Sequence, residues 1–573
     1  MEVVSRMNHH LTLRAKLIIM ISVMASLFLV ALDQTIVSTA LGKIVEDFNA
    51  YSALSWVVTA YLITTTITTP IAGKLSDLFG RRLLLLIGVT VFTVGSLLSG
   101  TSADITQLII WRSIQGIGGG IITANAFTIV GDLFAARERG KWQGLIGAVF
   151  GISSVIGPLL GGFLTEPHNF FGLVTDWRWT FFINVPVGIV AFIVIAIYCP
   201  ALKHAKKPRV DYVGAALLAV ALATLVLAVD NTETIFAGVL SATGMSLAML
   251  RVIMVAIIVA AVATFIVVER RSVEPILELS FFRNKNFLLL AGVAMSVGAA
   301  MLGSILYLTQ FNQQVYGASP TTSGLMLLPM IGGLMVVSIT VGQLVSKYGV
   351  YKRFMIGGFA VAAAAIAALV TLTPESPFIH EAIIIIFVGA GIGAGMPLLN
   401  IAIQNEFGQR DLGIATSSSQ LFRGLGSTIG VAIFGSMLTM GIAVSLGDMK
   451  DDAYIRTLSQ SPVASQVLAG KTDDANTLLN LNMTDMRQKI EQGFTASLKE
   501  SHLPPAAQEQ AIGQFKAEQQ AFSDTVSAAF TSSLHGVFIA TSSIMLAAML
   551  LSVALTERPL RTAKADETPG EIA

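Results

Sequence analysis

Apolar residues occur along the chain in long continuous runs that shorter polar segments separate. A bilayer core about 30 Å thick needs roughly 20 apolar residues per helix. Fourteen runs are long enough to predict transmembrane helices, and because they are continuous they exclude the alternating strands of a β-barrel. They lie near residues 17–40, 53–73, 83–101, 105–130, 141–164, 179–199, 211–229, 250–268, 287–311, 322–345, 353–372, 382–403, 413–445 and 534–556.

Basic residues are concentrated in every second connection between these runs. The opposite short loops hold little beyond Lys43, Arg178 and Arg251. Since loops rich in Lys and Arg stay in the cytoplasm, both termini are predicted to be cytoplasmic. The first run is too long for the apolar region of a signal peptide, so we interpret it as a retained helix.

The polar stretch at about 446–533 lies between the last two runs and is predicted to be extracytoplasmic. Its later part (PPAAQEQAIGQFKAEQQAFSDTVSAAFTSS) favours helix, so we expect a partly helical insert. Two roles stay open for it: a cap without chemistry, or a module that binds a partner.

The composition supports a membrane protein: 54% of residues are hydrophobic and only 12% are charged, against about 25% in soluble domains. A net charge of +1 offers no basic field for nucleic acid. The single cysteine, Cys199, excludes a disulfide framework. The sequence contains neither a GxxxxGK[ST] nor an HExxH motif, so we expect no ATPase, metal site, cofactor or enzymatic activity.

An internal repeat indicates two similar halves. Residues 73–80 (GKLSDLFG) align with residues 342–349 (GQLVSKYG), and the segment that starts at Gly116 aligns with the one that starts at Gly389. Parallel halves that enclose a central cavity suit alternating access better than a channel. We therefore predict three parts: a six-helix bundle at 1–200, linkers with two extra helices at 201–285, and a second bundle at 286–573 that carries the insert.

Five segments resemble motifs of the major facilitator superfamily, and with fourteen spans they narrow the resemblance to its drug:proton antiporters of the EmrB/QacA type. The segments are 32–41 (LDQTIVSTAL), 73–82 (GKLSDLFGRR), 112–120 (RSIQGIGGG), 151–162 (GISSVIGPLLGG) and 177–186 (WRWTFFINVP). The resemblance covers nearly the whole chain except the insert. It implies an all-α polytopic fold with two six-helix bundles and two linker helices.

Asp33 and Arg112 are charged residues inside predicted spans, where a charge costs roughly 2.5–3.5 kcal/mol unless it faces a partner or a cavity. Helix rise places both at a similar depth, so they can pair, and protonation of the acid would loosen the pair. The resemblance implies proton coupling, whereas a purely structural pair is the alternative. Gln34 and Gln115 complete this predicted proton and substrate site.

Arg423 lies near the middle of the thirteenth span and needs a partner or a wet cavity; a functional and a structural role both stay open. Four amides at the outer end of the ninth span are candidates to line a polar vestibule, although amides are common at membrane interfaces. They are Gln310, Asn312, Gln313 and Gln314.

The loop after the second span is interpreted as a conformational switch. Gly73 and Gly80 allow tight turns, and we expect Asp77 to cap the third helix and to meet Arg81, Arg137 or Arg139. Such contacts would favour the outward-open state. The alternative is that these charges, with Arg82, only fix the topology.

The fifth span carries the segment that resembles the antiporter motif. Its glycines allow close helix packing, and Pro158 removes one backbone hydrogen bond and is expected to bend the span. Such a helix could seal the protein against proton leak; generic membrane packing is the alternative. The motif residues are Gly151, Gly157, Pro158, Gly161 and Gly162.

These features together predict a proton-driven exporter of hydrophobic, often cationic compounds in the cytoplasmic membrane of a cell, active as a monomer in the lipid bilayer. A lipid or lipid-precursor exporter is the alternative in the same class. A receptor that does not transport, with the insert as its binding module, is the alternative from another class.

Overall fold

The computed structural model describes residues 12–48, 54–135, 138–165, 169–170, 173–199, 211–229, 232–318, 320–408, 411–447, 449–460, 475–500 and 504–560. Helices form at all fourteen predicted positions. Twelve of the helices in the described part are long and apolar enough to cross a membrane, and α2 and α5 below occupy the other two positions. A helical membrane protein is thereby established, while the count of fourteen spans stays a prediction.

The helices before residue 200 form what we call the N-terminal bundle. They are α1 (Leu13–Asp47), α2 (Leu54–Phe79), α3 (Arg81–Gly100), α4 (Ile105–Leu133), α5 (Arg139–Thr165), the short α6 (Trp179–Phe182) and α7 (Asn184–Tyr198). A two-residue antiparallel pairing of β1 (Asn169–Phe170) with β2 (Leu173–Val174) precedes α6. Buried apolar side chains such as Phe92, Phe127 and Ile146 form the core.

Linker helices follow the N-terminal bundle. They are α8 (Tyr212–Val229), the short α9 (Thr232–Ile235) and α10 (Ala237–Thr243), and α11 (Leu247–Glu269). Helices α8 and α11 pack on each other, and α8 also packs on α2. Leu222 and Phe265 share a small apolar core with Leu421 of a later helix, so the linker helices lie against both halves of the molecule.

The remaining helices form what we call the C-terminal bundle and the insert. They are α12 (Lys285–Gln314), α13 (Pro320–Met326), α14 (Leu328–Tyr348), α15 (Lys352–Ala368), α16 (Phe378–Glu406), α17 (Leu412–Leu446), α18 (Ala453–Gln460), α19 (Ala475–Asn482), α20 (Thr484–Glu500) and α21 (Pro505–Ala554), with single 3₁₀ turns at Leu279–Arg283 and Leu369–Thr371. Phe359, Phe434 and Phe538 lie in the core of this bundle.

The two bundles meet mainly where α5 packs on α14 and α2 packs on α17. The Ser338 hydroxyl donates to the Gly144 carbonyl at 3.2 Å, and the Gln404 amide donates to the Phe127 carbonyl at 3.2 Å. These residues lie in the helix halves that point towards the predicted cytoplasmic side. The structure is therefore closed on that side.

The insert contains the helices that its sequence favours, and it has a small core of its own. Tyr454, Leu481, Phe515 and Phe522 are all buried in this core. Helix α21 is 50 residues long, about 75 Å at 1.5 Å per residue, so its first half extends beyond a membrane and into the insert.

Contacts to the end of α12 attach the insert to the C-terminal bundle. The Gln314 carbonyl accepts hydrogen bonds from Asn482 at 3.2 Å and from Ser527 at 3.0 Å. The insert and α12 are thus joined by buried polar contacts rather than by chain connectivity alone.

Candidate functional site

Asp33 is completely buried in the N-terminal bundle, where it accepts hydrogen bonds from three side chains. One carboxylate oxygen accepts from the Arg112 guanidinium at 2.5 Å. The other accepts from the Gln115 amide at 2.8 Å and from the Asn184 amide at 3.1 Å. Because all three neighbours donate N–H groups, this arrangement fits the ionised carboxylate.

Arg112 is held from several directions at once. Its guanidinium also donates to the Gln115 carbonyl oxygen at 2.8 Å and to the Val57 carbonyl at 3.3 Å. The same group lies over the Tyr61 ring, 4.3 Å from its centroid, which adds a cation–π contact. Only 1% of Arg112 is exposed, so the ion pair is shielded from water on every side in this conformation.

This network joins four helices of the N-terminal bundle: α1, α2, α4 and α7. Of the predicted residues, Asp33, Arg112 and Gln115 come together, whereas Gln34 is exposed beside them and interacts with Tyr61. Protonation of Asp33 would remove the charge that holds Arg112 in place. The geometry therefore allows one proton to alter the packing of four helices.

Asn184 and Tyr61 were missed by the sequence reasoning. Asn184 donates to Asp33 at 3.1 Å and to the Ser96 hydroxyl at 3.0 Å, and so links α3 to the network as a fifth helix. An uncharged amide inside the apolar run 179–199 is a signal that could have identified Asn184. Tyr61 carries no comparable signal, since a tyrosine in an apolar helix is ordinary.

Arg423 projects from α17 towards the N-terminal bundle. Its guanidinium lies 5.7 Å from the centroid of the Phe127 ring and 3.8 Å from the Met396 sulfur. Neither neighbour carries a negative charge, so Arg423 leaves positive potential between the two bundles. The sequence predicted a partner or a wet cavity for Arg423, and the structure provides an aromatic ring and a thioether as its neighbours.

Asp77 connects the two bundles, which differs from the expectation that it caps the third helix. Helix α3 begins after Gly80 without any side-chain cap. Asp77 pairs with Arg81 and accepts a hydrogen bond from the Ile414 backbone amide at 2.9 Å. It thus caps the N-terminus of α17, because the carboxylate lies directly against Gly413 and Ile414 in the first turn of that helix.

The other switch residues stabilise the same region. Arg81 also binds Ser76 and, at 2.8 Å, Asp132. Arg82 donates to the Ala196 carbonyl at 2.5 Å. Gly80 has a φ of 94°, a left-handed conformation that favours glycine.

Two further arginines were predicted near Asp77. Arg139 instead donates to the carbonyls of Phe134 and Gly131, at 3.1 and 2.7 Å. Burial lowers the pKa of Arg139 to about 10, so it stays cationic at neutral pH. Arg137 lies outside the described residues. The predicted contact of Asp77 is thus made with Arg81.

Close packing across the bundle interface explains the glycines of the switch loop and of α5. A side chain at Gly73 would overlap Ser417 of α17. On α5, an added Cβ at Gly151 would lie 2.9 Å from Ile331 of α14. Gly140, Gly144 and Gly147 lie against α14 in the same way. The sequence reasoning did not assign these three glycines to the interface.

The remaining motif residues of α5 lie further along the helix. Gly157 faces Thr35 of α1, two residues after Asp33, and a side chain there would displace Thr35. The carbonyls of Gly161 and Gly162 accept hydrogen bonds from the Thr165 hydroxyl. Helix α5 continues through Pro158, and the bend predicted there stays a prediction.

The four amides of α12 do not form one vestibule. Asn312 is completely buried, and Gln314 bonds to the insert, where its amide donates to the Leu479 carbonyl at 3.3 Å. Gln310 and Gln313 are partly exposed. The vestibule prediction is wrong for Asn312, because α12 turns that side of the helix into the bundle.

Comparison with known proteins decides the family. The sequence profile of the Major Facilitator Superfamily matches residues 23–431. This protein belongs to that superfamily. It is therefore a transporter of the superfamily rather than an enzyme, and its two bundles correspond to an established fold.

Relatives of this superfamily member support the assignment. The chain is 36% identical to the multidrug transporter protein MdtP of Bacillus subtilis over 84% of this chain and 85% of that protein. It is 33% identical to multidrug resistance protein 3 of Bacillus subtilis over 75% and 81% of the two chains. Homologues of this superfamily member are thus named as multidrug transporters.

Solved structures agree on the fold. The proton:xylose symporter XylE superposes with a TM-score of 0.53 at 17% identity, covering 74% of this chain and 88% of that one. A bacterial homologue of the human lysosomal transporter Spinster gives 0.52 at 13% identity, covering 95% and 97%. At such low identity the likeness establishes the major facilitator fold alone.

Proposed function

We propose that this protein is a proton-coupled exporter of hydrophobic and cationic compounds, an antiporter of the fourteen-span EmrB/QacA type. The names of its relatives support export of drugs. The buried network of Asp33, Arg112, Gln115 and Asn184 carries the proposal of proton coupling, since it places a carboxylate with three donors inside a membrane protein.

The proposed cycle begins from the conformation that is closed on the predicted cytoplasmic side. A proton from outside neutralises Asp33, and Arg112 then loses its anionic partner. Helices α1 and α4 pack on α5 and α2, so their rearrangement weakens the packing of those two helices against the C-terminal bundle, and the cytoplasmic side opens. Moving one charge through 100 mV supplies about 2.3 kcal/mol, which concentrates a substrate roughly fiftyfold.

Family membership favours transport over the receptor alternative for this chain. We propose that one chain is sufficient, because it contains both bundles of the fold. We also propose that both termini lie in the cytoplasm, which the excess of basic residues in alternate loops supports.

Export of lipid-like substrates is a second candidate function, and one structural observation supports it. A cavity of about 790 Å³ lies between the linker helices and the C-terminal bundle. Its lining includes Tyr307, Val431 and Met440 together with the cation Arg251. An open, largely apolar groove that includes one positive charge fits an amphiphile with an anionic head group.

Gradient-driven transport in inside-out vesicles tests both candidates. The panel contains ethidium, further lipophilic cations and fluorescent lipids, and it compares wild type with Asp33→Asn and with Asp524→Asn, an exposed carboxylate of the insert as a matched control. We expect transport of cations that Asp33→Asn abolishes and Asp524→Asn retains. Transport of lipids alone would favour the second candidate. Gradient-driven transport that persists in Asp33→Asn would contradict the coupling role.

A further inference from the structure

Glu381 is a second buried acid, far in sequence from Asp33. It lies in the first turn of α16, at the predicted extracytoplasmic end of the C-terminal bundle, and none of its surface is exposed. Neither of its carboxylate oxygens has a hydrogen-bond partner. A fully buried carboxyl group with no partner is rare in folded proteins and calls for an explanation.

Two more polar side chains near Glu381 also lack hydrogen-bond partners. The Asn312 side chain of α12 lies within reach of the carboxyl group but does not meet the geometry of a full hydrogen bond, and Tyr316 is close enough to interact with the carboxyl group electrostatically. Asn312 is completely buried and neither of its amide atoms completes a hydrogen bond; the Tyr316 hydroxyl is also unpartnered. Five polar atoms without partners are thus gathered at one place.

Within the described residues, no lysine or arginine pairs with the Glu381 carboxyl group. The connections that flank the site, residues 315–327 and 369–377, contain neither Lys nor Arg. Titratable side chains in the neighbouring segments include Tyr316, His380, His535 and the exposed Glu375. The insert, which contacts Gln314 of α12, adds Arg487, whose guanidinium donates to the Ser523 hydroxyl at 2.9 Å. The ring of His380 bonds to Thr371, and that of His535 to the Leu372 carbonyl.

Two opposing effects act on the charge of Glu381. Burial of an unpaired carboxylate costs several kcal/mol and favours the protonated acid. The N-terminus of α16 favours negative charge in its first turn. Because the two effects oppose each other, the group is suited to exchange a proton rather than to remain in one state.

The neighbours can serve both protonation states. Asn312 offers an acceptor oxygen to the acid and a donor N–H to the carboxylate, and the Tyr316 hydroxyl can likewise accept or donate. A lysine or an arginine at the position of Asn312 or Tyr316 would stabilise only the ionised carboxylate. The pair of bifunctional neighbours therefore matches a group that cycles between two states.

We infer that Glu381, Asn312 and Tyr316 form a second proton-binding site, located in the C-terminal bundle. Its binding of a proton does not depend on the proposed transport activity. The consequence of this second site for transport does rest on the proposed function. With Asp33 in one bundle and Glu381 in the other, each bundle carries one proton, and two protons enter per cycle.

Infrared difference spectroscopy on the full-length protein in lipid tests proton binding directly. In a pH titration in H₂O and D₂O, the wild type is expected to show the C=O band of a buried carboxylic acid at neutral pH. Glu381→Gln removes this band, while Glu375→Gln, which alters an exposed neighbour, retains it. An unchanged band in Glu381→Gln, or ionisation of Glu381 across the whole titration, would overturn the inference.

A second variant keeps the test valid if Glu381→Gln fails to fold. Asn312→Leu retains the acid but removes its bifunctional neighbour, so the band should shift and titrate at higher pH. A band that neither shifts nor changes its titration would contradict the site. A spectral change on addition of sodium ions at constant pH would show that the site binds a metal cation rather than a proton. That result would also overturn the inference.

Proton counting in vesicles tests the consequence. Protons taken up per substrate exported should fall by about half in Glu381→Gln, with substrate exchange without a gradient retained. An unchanged count would contradict the role in coupling. If the wild type shows no proton-driven export, the proposed function fails, but the infrared result still decides whether the site binds a proton.

Discussion

The Asp77 carboxylate accepts a hydrogen bond from the Ile414 backbone amide at 2.9 Å, across 337 positions of the chain. Asp411, the residue that precedes α17, makes no side-chain cap of its own. One bundle thereby caps a helix of the other. A negative charge at a helix N-terminus is stabilising, so this contact favours the state that is closed on the predicted cytoplasmic side.

Asp77→Asn is expected to weaken this closed state. The substitution keeps an acceptor oxygen but removes the charge that faces both Arg81 and the start of α17, a loss of about 1 kcal/mol. Distances between spin labels at Phe79→Cys and Tyr348→Cys, in a Cys199→Ser background, report the opening; both positions are exposed.

Glu138→Gln serves as the control for Asp77→Asn, because Glu138 is an exposed acid on the same side of the protein. The short-distance population should fall in Asp77→Asn and stay unchanged in Glu138→Gln. Equal distance distributions in wild type and Asp77→Asn would refute the role of this contact in closure.

Asn184→Ala should move the pH dependence of export towards higher pH. The substitution removes one of three donors to the Asp33 carboxylate, and a hydrogen bond to a charged group contributes about 1.5–3 kcal/mol. Since only the ionised carboxylate loses this donor, export should continue to higher pH in Asn184→Ala than in the wild type.

Ser96→Ala is the matched control for Asn184→Ala, because it removes the other partner of Asn184 and leaves the donor to Asp33 in place. The midpoint of the export pH profile should stay near that of the wild type in this variant. An identical shift in both variants would mean that Asn184 acts through packing alone.

Gly144→Ala should hinder closure of the bundle interface. The added Cβ would lie 2.6 Å from the Ser338 carbonyl oxygen, so the backbone of α14 would have to move away from α5. Gly332→Ala on α14 is the control, since nothing lies within 4 Å of a Cβ there. Spin-label distances should increase only in Gly144→Ala, and equal distances in the two variants would argue against close approach at Gly144.

Arg423→Gln should change the charge preference of export. The Arg423 cation, which faces Phe127 of the opposite bundle, repels positively charged compounds, so its removal should raise export of lipophilic cations relative to neutral compounds of similar size. Arg423→Lys keeps the charge and should behave like the wild type. Equal preferences in all three proteins would show that substrates bind away from Arg423.

Phe522→Ala should unfold the insert without stopping export. Truncation of a buried phenylalanine costs about 3–5 kcal/mol, which a core as small as that of the insert cannot tolerate. Limited proteolysis should cleave the insert faster in Phe522→Ala than in Gln510→Ala, an exposed control. Loss of export in a variant whose membrane helices remain folded would give the insert a part in transport.

Much of the fold could be predicted from local patterns. Continuous apolar runs predicted helices at all fourteen positions, because the bilayer allows few alternatives to a helix. The similar depth of Asp33 and Arg112 predicted their pairing, since helix rise converts sequence position into depth. The contacts of Asp77 with Ile414 and of Asn184 with Asp33 could not be predicted in this way.

The sequence by itself determined which segments form long apolar helices, the pattern of charges in the loops and the presence of two charged residues at one level. Only the tertiary structure decided that Asn184 completes the Asp33 network, that Asp77 caps a helix of the opposite bundle and that Glu381 meets Asn312. Depth in the membrane follows from counting residues along one helix. Contacts between helices depend on how each helix is rotated and tilted, and side-chain packing across the whole bundle sets that orientation.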